Sequence, residues 1–532
     1  MFLSGYCGII AELSLFTLAE SLIGGTLVNL LSTMGVMMFC MGLGALLAGQ
    51  PFMARWRYGA FISLELLISL SVLMAIPCIT HLAGFWPRQT TWAFVTASAA
   101  IGTFIGMEIP LMQKIMQDEA EEDIQVIASR VMMADYFGGL CGFVLFSSSL
   151  LQILGLPWTA ATSAILNFSI ALLVSFKNKC PAWGRWASLG TLMIFLGFGL
   201  QLNSIMKLGE QGLYRHKIVW EQQTPYQKLV LVDQNRAGNP RYDEVKYAQW
   251  KAQVKEILSF PVSAGLAVLG QQGGDYSLFI NGGLQFNSLD EGAYHENLIH
   301  LPLALVPSAR RVLVMGGGDG LALREILKIP SIDYIELVEL DPAMTQAFST
   351  QAVLVKLNQS SLLHPKVRIV HEDAWTWARQ ERSLFDAIVL DFPDPHHLGT
   401  AKLYSLEFYK LLRHNLSKGG VLTTQATSPL YNKDAFGSIR QTLMAAGFRV
   451  CSTHVEMASF GQWGFHIASA NLTEAEMKNI LWDWQPELKL NWVSKDSVRG
   501  SLCWRPNFLE SFEMLPVNDL FHLPLVGLYR QY

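Results

Sequence analysis

The chain has 532 residues, enough for several domains; 51% of them are hydrophobic and 15% charged, and the mean hydropathy is +0.28. That balance excludes a single ordinary soluble domain, and a formal net charge of −4 excludes the broad basic surface that nucleic acid requires. Seven scattered cysteines (Cys7, Cys40, Cys78, Cys141, Cys180, Cys451 and Cys503) form no C-x-x-C pair, so neither a zinc site nor a disulfide framework is read.

The apolar excess lies in residues 1–206. About seven segments there reach the roughly 20 residues that cross a bilayer: 2–20, 26–48, 59–82, 91–116, 133–154, 157–176 and 186–206. They predict a polytopic α-helical membrane domain in lipid, placed in the cell (inner) membrane. Arg55, Arg57, Lys114, Arg130, Lys177, Lys179 and Arg185 fall in alternate loops, against Arg88 alone in the others. Basic loops face the cytoplasm, and seven spans then put the C-terminal half on the opposite side. Glu12, Glu65, Glu108 and Asp135 lie within the apolar segments. Such carboxylates line a path for a cation or hydrogen-bond between helices. Pro110 is expected to kink the helix carrying Glu108. Gly42, Gly44 and Gly49 read as helix-packing contacts.

From about 212 the pattern becomes short alternating strands. Residues 217–223 and 226–232 read as a pair, and 276–286 as a hairpin turning at Gly282-Gly283. Between them an insert at 234–275 includes a helix near 243–258 and has no assigned role. Residues 212–307 thus form a small β-stranded subdomain. From 308 to 470 strands alternate with helices: 311–315, 334–340, 367–370, 385–391 and 420–426, closed by an antiparallel pair around 448–469. This predicts an α/β, Rossmann-like domain, whose ligands bind at the carboxyl ends of the strands.

Those ends are acidic. The first carries Gly316-Gly317-Gly318-Asp319-Gly320, where glycines let the backbone approach a ligand. Such a turn suits an anion, so the carboxylate of Asp319 argues for a cationic ligand. The second ends at Glu339, a position that commonly binds ribose hydroxyls. The third leads to Asp373-Ala374, and Asp373 could accept from an adenine amino group. The fourth ends in Asp391-Phe392-Pro393-Asp394. Helix capping by Asp319 or Asp341 is the structural alternative. No basic residue is placed on this rim to bind phosphate, which disfavours NAD, FAD and ATP.

Over roughly 215–470 the chain resembles the spermidine synthase (polyamine aminopropyltransferase) family. The likeness rests on Tyr226-Gln227, LQFNSLDEGAYHENLIHLPL (284–303), GGGDG followed by Arg324-Glu325, VELD, and DFPDP followed by LYSLEFY (403–409). The whole chain resembles the bacterial branch in which this domain follows a multi-span membrane domain. The resemblance implies a methyltransferase-type Rossmann domain beside a small β subdomain. It implies decarboxylated S-adenosylmethionine as co-substrate, with no permanently bound cofactor and no metal. Asp319 would pair with the aminopropyl ammonium and repel the carboxylate of intact S-adenosylmethionine. Gly316, Gly318, Gln227, Glu339, Asp373 and Ala374 would surround the methylthioadenosine portion. Asp391 would take the proton of the attacking amine. Tyr294, His295 and Asp394 would hold a diamine such as putrescine. His295 and His300 are read as polar contacts, because no ligand cluster surrounds them in the sequence.

Three departures from the family pattern touch the diamine pocket and the adenine contact. The loop after Asp394-Pro395 reads HHLGTAKLY, Ala374 replaces a glycine, and SFGQWGFHIAS (459–469) carries Phe460 and Trp463 in place of a tyrosine followed by paired glycines. The tail from 471, with Trp482, Trp484, Trp492 and Trp504, lies outside the resemblance and reads as an extra helical or docking segment. Two other functions are weighed: a methyltransferase using intact S-adenosylmethionine, and a polyamine-binding or sensing domain coupled to a transporter-like membrane half. A homo-oligomer is left open.

Overall fold

A computed structural model describes residues 1–23, 27–50, 57–119, 123–177, 180–214, 216–224, 226–237, 275–380 and 384–529. Most of the 234–275 insert, with its expected helix, lies outside them. The chain divides into two compact units: Met1–Lys228, and the residues from Asp243 onward together with Leu229–Asn235.

The first unit is helical: α1 (Phe2–Ile23), α2 (Leu27–Ala48), α3 (Arg57–Phe85), α4 (Thr90–Glu119), α5 (Ile124–Leu145), α6 (Leu151–Ser175) and α7 (Ala182–Tyr214), followed by strand β1 (His216–Gln223). The described parts of the seven expected apolar segments fall in these helices, apart from Phe146–Leu150 between α5 and α6 and Phe176 just past α6. Five runs among the described residues are long and apolar enough to cross a membrane: Phe2–Ile23, Tyr58–Phe85, Pro87–Gln117, Ile124–Ser175 and Ala182–Tyr214. The 52-residue run contains a π turn at Phe146–Leu150 and a kink at Gly155 (φ 70°), two residues before Pro157. Pro110 sits inside α4 without ending it. Glycine sets the α2–α4 spacing: a Cβ at Gly44 would meet the Thr103 carbonyl oxygen at 2.0 Å, and one at Gly106 the Met41 carbonyl oxygen at 2.0 Å. A Cβ at Gly42 would meet nothing. Glu65 and Glu108 are buried side by side in the bundle, and the Ser4 hydroxyl donates to Glu108 Oε2 at 2.6 Å.

In the second unit, the Leu229–Asn235 part of β2 (Lys228–Ala237), β3 (Tyr276–Ile280) and β4 (Gly283–Asn287) form an antiparallel meander. The β3–β4 turn is Asn281-Gly282, both with positive φ, as a two-residue hairpin requires. Helix α8 (Glu291–Ala304) follows and is almost wholly buried. Then comes a seven-stranded sheet of β5 (Arg311–Gly316), β6 (Tyr334–Glu339), β7 (Val367–His371), β8 (Phe385–Asp391), β9 (Leu416–Gln425), β10 (Arg449–Met457) and β11 (Gly461–Ser469). Its order is β10-β11-β9-β8-β5-β6-β7, with β11 antiparallel to both neighbours. The Rossmann-like expectation is met strand by strand. The strand order reverses between β5 and β8, so the ligand crevice opens at their carboxyl ends.

The tail from 471 belongs to this unit. Buried Glu296 of α8 accepts three backbone N–H groups from it: Asn491 (3.0 Å), Trp492 (2.8 Å) and Val493 (3.0 Å). Phe512 is buried against Gly437.

Candidate active site

At the switch point Gly316 pairs with Asp391 across β5 and β8. Gly316 has φ 76°, and a Cβ there would lie 2.3 Å from the Asp391 carbonyl oxygen. Only glycine permits both the backbone shape and the approach. The Gly318 N–H donates to Glu339 Oε2 at 3.1 Å, and the Asp341 N–H to Glu339 Oε1 at 2.9 Å. Burial pushes Glu339 up to about 7. Asp319, also buried, accepts the Leu321 N–H at 2.9 Å. Burial raises Asp319 to about 6; nearby His295 pulls it down and Asp391 pushes it further up.

Helix α8 supplies the opposite wall. The Tyr294 hydroxyl donates to Asp391 Oδ1 at 2.7 Å. Asp391 Oδ2 is buried and without a hydrogen-bond partner among the described residues, with His295 Nε2 3.9 Å away. His295 Nδ1 lies 2.8 Å from Glu291 Oε2, one helical turn back. Glu291 in turn holds Arg324 of α9 (Leu321–Ile326) in a two-pronged pair at 2.7 and 2.9 Å. Burial opposes the charge of Glu291, but Arg324 and His295 hold it down at about 2. Burial alone would depress His295; the Glu291 hydrogen bond and the charges of Glu291, Asp391 and Asp319 raise it to about 9. The ring is therefore cationic at neutral pH.

His295, Asp319 and Asp391 each offer one donor atom within 4.8 Å of the others, a set that could hold a metal ion. This corrects the expectation that no ligand cluster surrounds His295: its members come from three separated segments that the sheet brings together. His300 is a buried polar contact, 3.0 Å from Glu325 Oε2.

Asp394, in the loop after β8, accepts from Gln425 Nε2 at 3.1 Å and from the Tyr529 hydroxyl at 2.7 Å. Burial raises it to about 6, against these two donors. Neither donor was expected. Gln425 was legible as a polar residue ending a core strand; Tyr529 carried no signal. Asp373 caps the short helix Ala374–Ala378 through the Thr376 N–H (3.0 Å), and Ala374 is buried. Lys402 Nζ lies 3.3 Å from Asp373 Oδ2, so the expected lack of a basic group on the rim is corrected. Lys402 comes from the loop after Asp394, distant in sequence from β7. Asp341 is a helix cap, through the Ala343 N–H at 3.0 Å. Gln227 lies in the first unit, where its carbonyl accepts the Thr224 N–H at 2.9 Å. The departing segment 459–463 is pinned by Asp290, which accepts the Ser459 N–H at 2.7 Å; Phe460 and Trp463 rings sit 5.1 Å apart.

The model of the spermine/spermidine synthase domain matches residues 291–479, from Glu291 through every acidic strand end just described. A polyamine aminopropyltransferase of Leptospira interrogans is 32% identical over 87% of this chain and 85% of its own length. Polyamine aminopropyltransferase 1 of Streptomyces coelicolor is 34% identical over 88% and 82%. The chain belongs to the polyamine aminopropyltransferase family. A polyamine aminopropyltransferase of Shewanella oneidensis is 28% identical over 99% of this chain and 92% of its own length. A spermidine synthase solved with the transition-state analogue AdoDATO matches with a TM-score of 0.43 and 22% identity, over 56% of this chain and 88% of that one. The spermidine synthase of Thermotoga maritima matches with a TM-score of 0.42 at 22% identity, over the same shares. As an aminopropyltransferase, the protein uses decarboxylated S-adenosylmethionine as co-substrate and keeps no permanently bound cofactor. The methyltransferase and sensor readings give way to this one.

Proposed function

We propose that this chain is a membrane-anchored aminopropyltransferase, transferring the aminopropyl group of decarboxylated S-adenosylmethionine to a diamine such as putrescine. The observation that carries the reading is Asp391, whose buried Oδ2 has no hydrogen-bond partner among the described residues while Tyr294 fixes Oδ1. An alkylamine titrates near 10.4, so the attacking nitrogen arrives protonated. Asp391 Oδ2 takes that proton. The freed lone pair attacks the carbon beside the sulfonium, the carbon–sulfur bond breaks, and sulfur keeps the electron pair in neutral methylthioadenosine. Asp319 pairs with the aminopropyl ammonium. Gly316, Gly318, Glu339, Asp373 and Ala374 contact the methylthioadenosine portion. Tyr294, His295 and Asp394 hold the diamine. Alignment of amine, carbon and sulfur supplies much of the remaining rate.

The apolar helices of residues 1–206 anchor the enzyme in the cell (inner) membrane. Resistance to alkaline extraction from membranes is the expected result; release into the supernatant refutes anchoring. A C-terminal reporter active only in the periplasm tests the side. Its silence is expected, because the co-substrate is cytoplasmic, although the loop charges alone argue the reverse.

The test of function is methylthioadenosine release by the purified full chain given decarboxylated S-adenosylmethionine and a diamine panel, beside Asp391→Asn. Release that needs a diamine and collapses in the variant supports the reading. No release with any amine refutes it.

A further inference from the structure

We propose that the C-terminal segment Pro516–Tyr529 forms a wall of the acceptor-amine pocket, and that Tyr529 is a positioning residue that orients Asp394 and so selects the acceptor. The proposal rests on the reading of Asp394 as a holder of the diamine.

Tyr529 lies fifty residues beyond the end of the family match at 479, yet its hydroxyl donates to Asp394 Oδ2 at 2.7 Å. The segment that delivers it is fastened along its length. Ser438 Oγ donates to the Pro516 carbonyl at 2.7 Å. Asn518 donates from Nδ2 to the Ala401 carbonyl (2.9 Å) and from its N–H to Thr442 Oγ1 (3.0 Å), and its carbonyl accepts the Leu406 N–H (2.8 Å). The Leu520 N–H reaches Glu407 Oε2 at 3.1 Å, and Leu525 is fully buried. The Tyr529 ring then sits 6.0 Å from that of His396, whose Nδ1 is 2.9 Å from the Asp394 carbonyl oxygen. The phenol therefore packs on the loop that carries Asp394.

The other oxygen of Asp394 is held with little freedom. Gln425 Nε2 also donates to the Phe392 carbonyl (3.0 Å), while its Oε1 accepts the Thr427 N–H (2.8 Å), so the amide cannot turn over. Asp394 is thus clamped by two neutral donors. Each oxygen keeps a lone pair for an ammonium, but only on the side away from Gln425 and Tyr529. A diamine whose far ammonium meets that side with its near nitrogen at Asp391 is preferred; a longer or shorter one is not. The two donors also favour the ionised carboxylate, which burial alone would neutralise.

The test uses the full-length enzyme, Tyr529→Phe and Tyr529→Ala, with diamines of three, four and five methylenes, read by methylthioadenosine release across pH. A lost hydrogen bond to a charged group predicts a rise of about ten- to hundredfold in the diamine KM for Tyr529→Phe. The KM for decarboxylated S-adenosylmethionine should stay within about twofold, since Tyr529 acts through Asp394, which faces the diamine. The acidic limb of kcat/KM for the diamine should move to higher pH, because Asp394 loses a donor that stabilises its charge. Tyr529→Ala should flatten the preference among the three diamines. Unchanged diamine KM and pH limb in Tyr529→Phe overturn the proposal. So does an equal loss for both substrates with a lowered melting temperature, which marks a structural role. A wild-type enzyme that releases nothing with any amine refutes the underlying function instead.

Discussion

Replacing Asp319 by asparagine removes one charge and little else, because the amide oxygen can still accept the Leu321 N–H that shapes the turn at 2.9 Å. Two unit charges about 4 Å apart interact by roughly 4 kcal/mol at an effective dielectric of about 20. His295, already beside Asp319, offsets part of this, leaving roughly 2–3 kcal/mol for the aminopropyl ammonium. Asp319→Asn should therefore lower kcat/KM for decarboxylated S-adenosylmethionine by about 30- to 150-fold. Intact S-adenosylmethionine carries a carboxylate at the same end, so it should inhibit the variant more strongly than the wild type. The assay is methylthioadenosine release, with intact S-adenosylmethionine as competitor. The pH dependence follows from the value of about 6. The carboxylate must be ionised, so kcat/KM for the co-substrate falls as pH drops through about 6, and this limb is absent in the variant. Stability moves the other way. Folding raises this carboxyl above its ordinary value, so its ionisation costs stability, absent below about 4 and complete above about 6. The variant should be more stable by roughly 1–3 kcal/mol at neutral pH and no more stable in acid. A loss under about threefold, or unchanged inhibition by S-adenosylmethionine, refutes the assignment of Asp319.

Asp391→Asn should cost about 10²- to 10⁴-fold in kcat, with co-substrate affinity kept when measured by calorimetry. Activity should survive dialysis against a chelator, because the cation at His295, Asp319 and Asp391 is read as the substrate's; loss restored by added metal would refute that. Glu296→Gln turns one acceptor of three backbone N–H groups into a donor facing them, at a cost of roughly 2–3 kcal/mol read in denaturant unfolding. Proteolysis near Trp492 should quicken in that variant.

The Rossmann-like half was legible because its strands are largely apolar runs of the right length, three of them ending in a glycine or carboxylate at the same edge: β5 at Gly316, β6 at Glu339 and β8 at Asp391. Asp319, Glu339 and Asp391 converge as their strand ends foretold. What local pattern could not show was partnership at a distance. His295 is cationic because Glu291 is one turn away, and Glu291 stays ionised because Arg324 comes from another helix. Asp373 is the opposite case: its position promised a ligand contact, and its side chain also caps a helix and pairs with Lys402. The tail lies outside the resemblance, and its tryptophans suggested only an extra helical or docking segment. Two of them pack within the domain: Trp492 lies over Gly292, where a Cβ would come within 2.7 Å of its ring nitrogen, and Trp504 donates to the Ser452 carbonyl at 3.1 Å.

In the proposed site, the electrostatics of the crevice would let one buried pocket receive two cationic substrates. Asp319 and Asp394 near 6 and Glu339 near 7 are carboxyls that burial holds close to the edge of ionisation. Asp391 faces His295, whose positive charge, favoured by Glu291, already stands beside the proposed reaction centre. An arriving ammonium stabilises the carboxylate it meets and weakens the hold of the imidazole on its proton. Binding should therefore release protons rather than take them up. Near pH 6, where Asp319 is about half protonated, the co-substrate should expel a fraction of a proton per site. Calorimetric titrations in buffers of different ionisation enthalpy measure that fraction directly, and Asp319→Asn should reduce it. Proton uptake on binding would mean that the incoming charge settles on a group other than these carboxylates, and the cation-accepting site would have to be placed elsewhere.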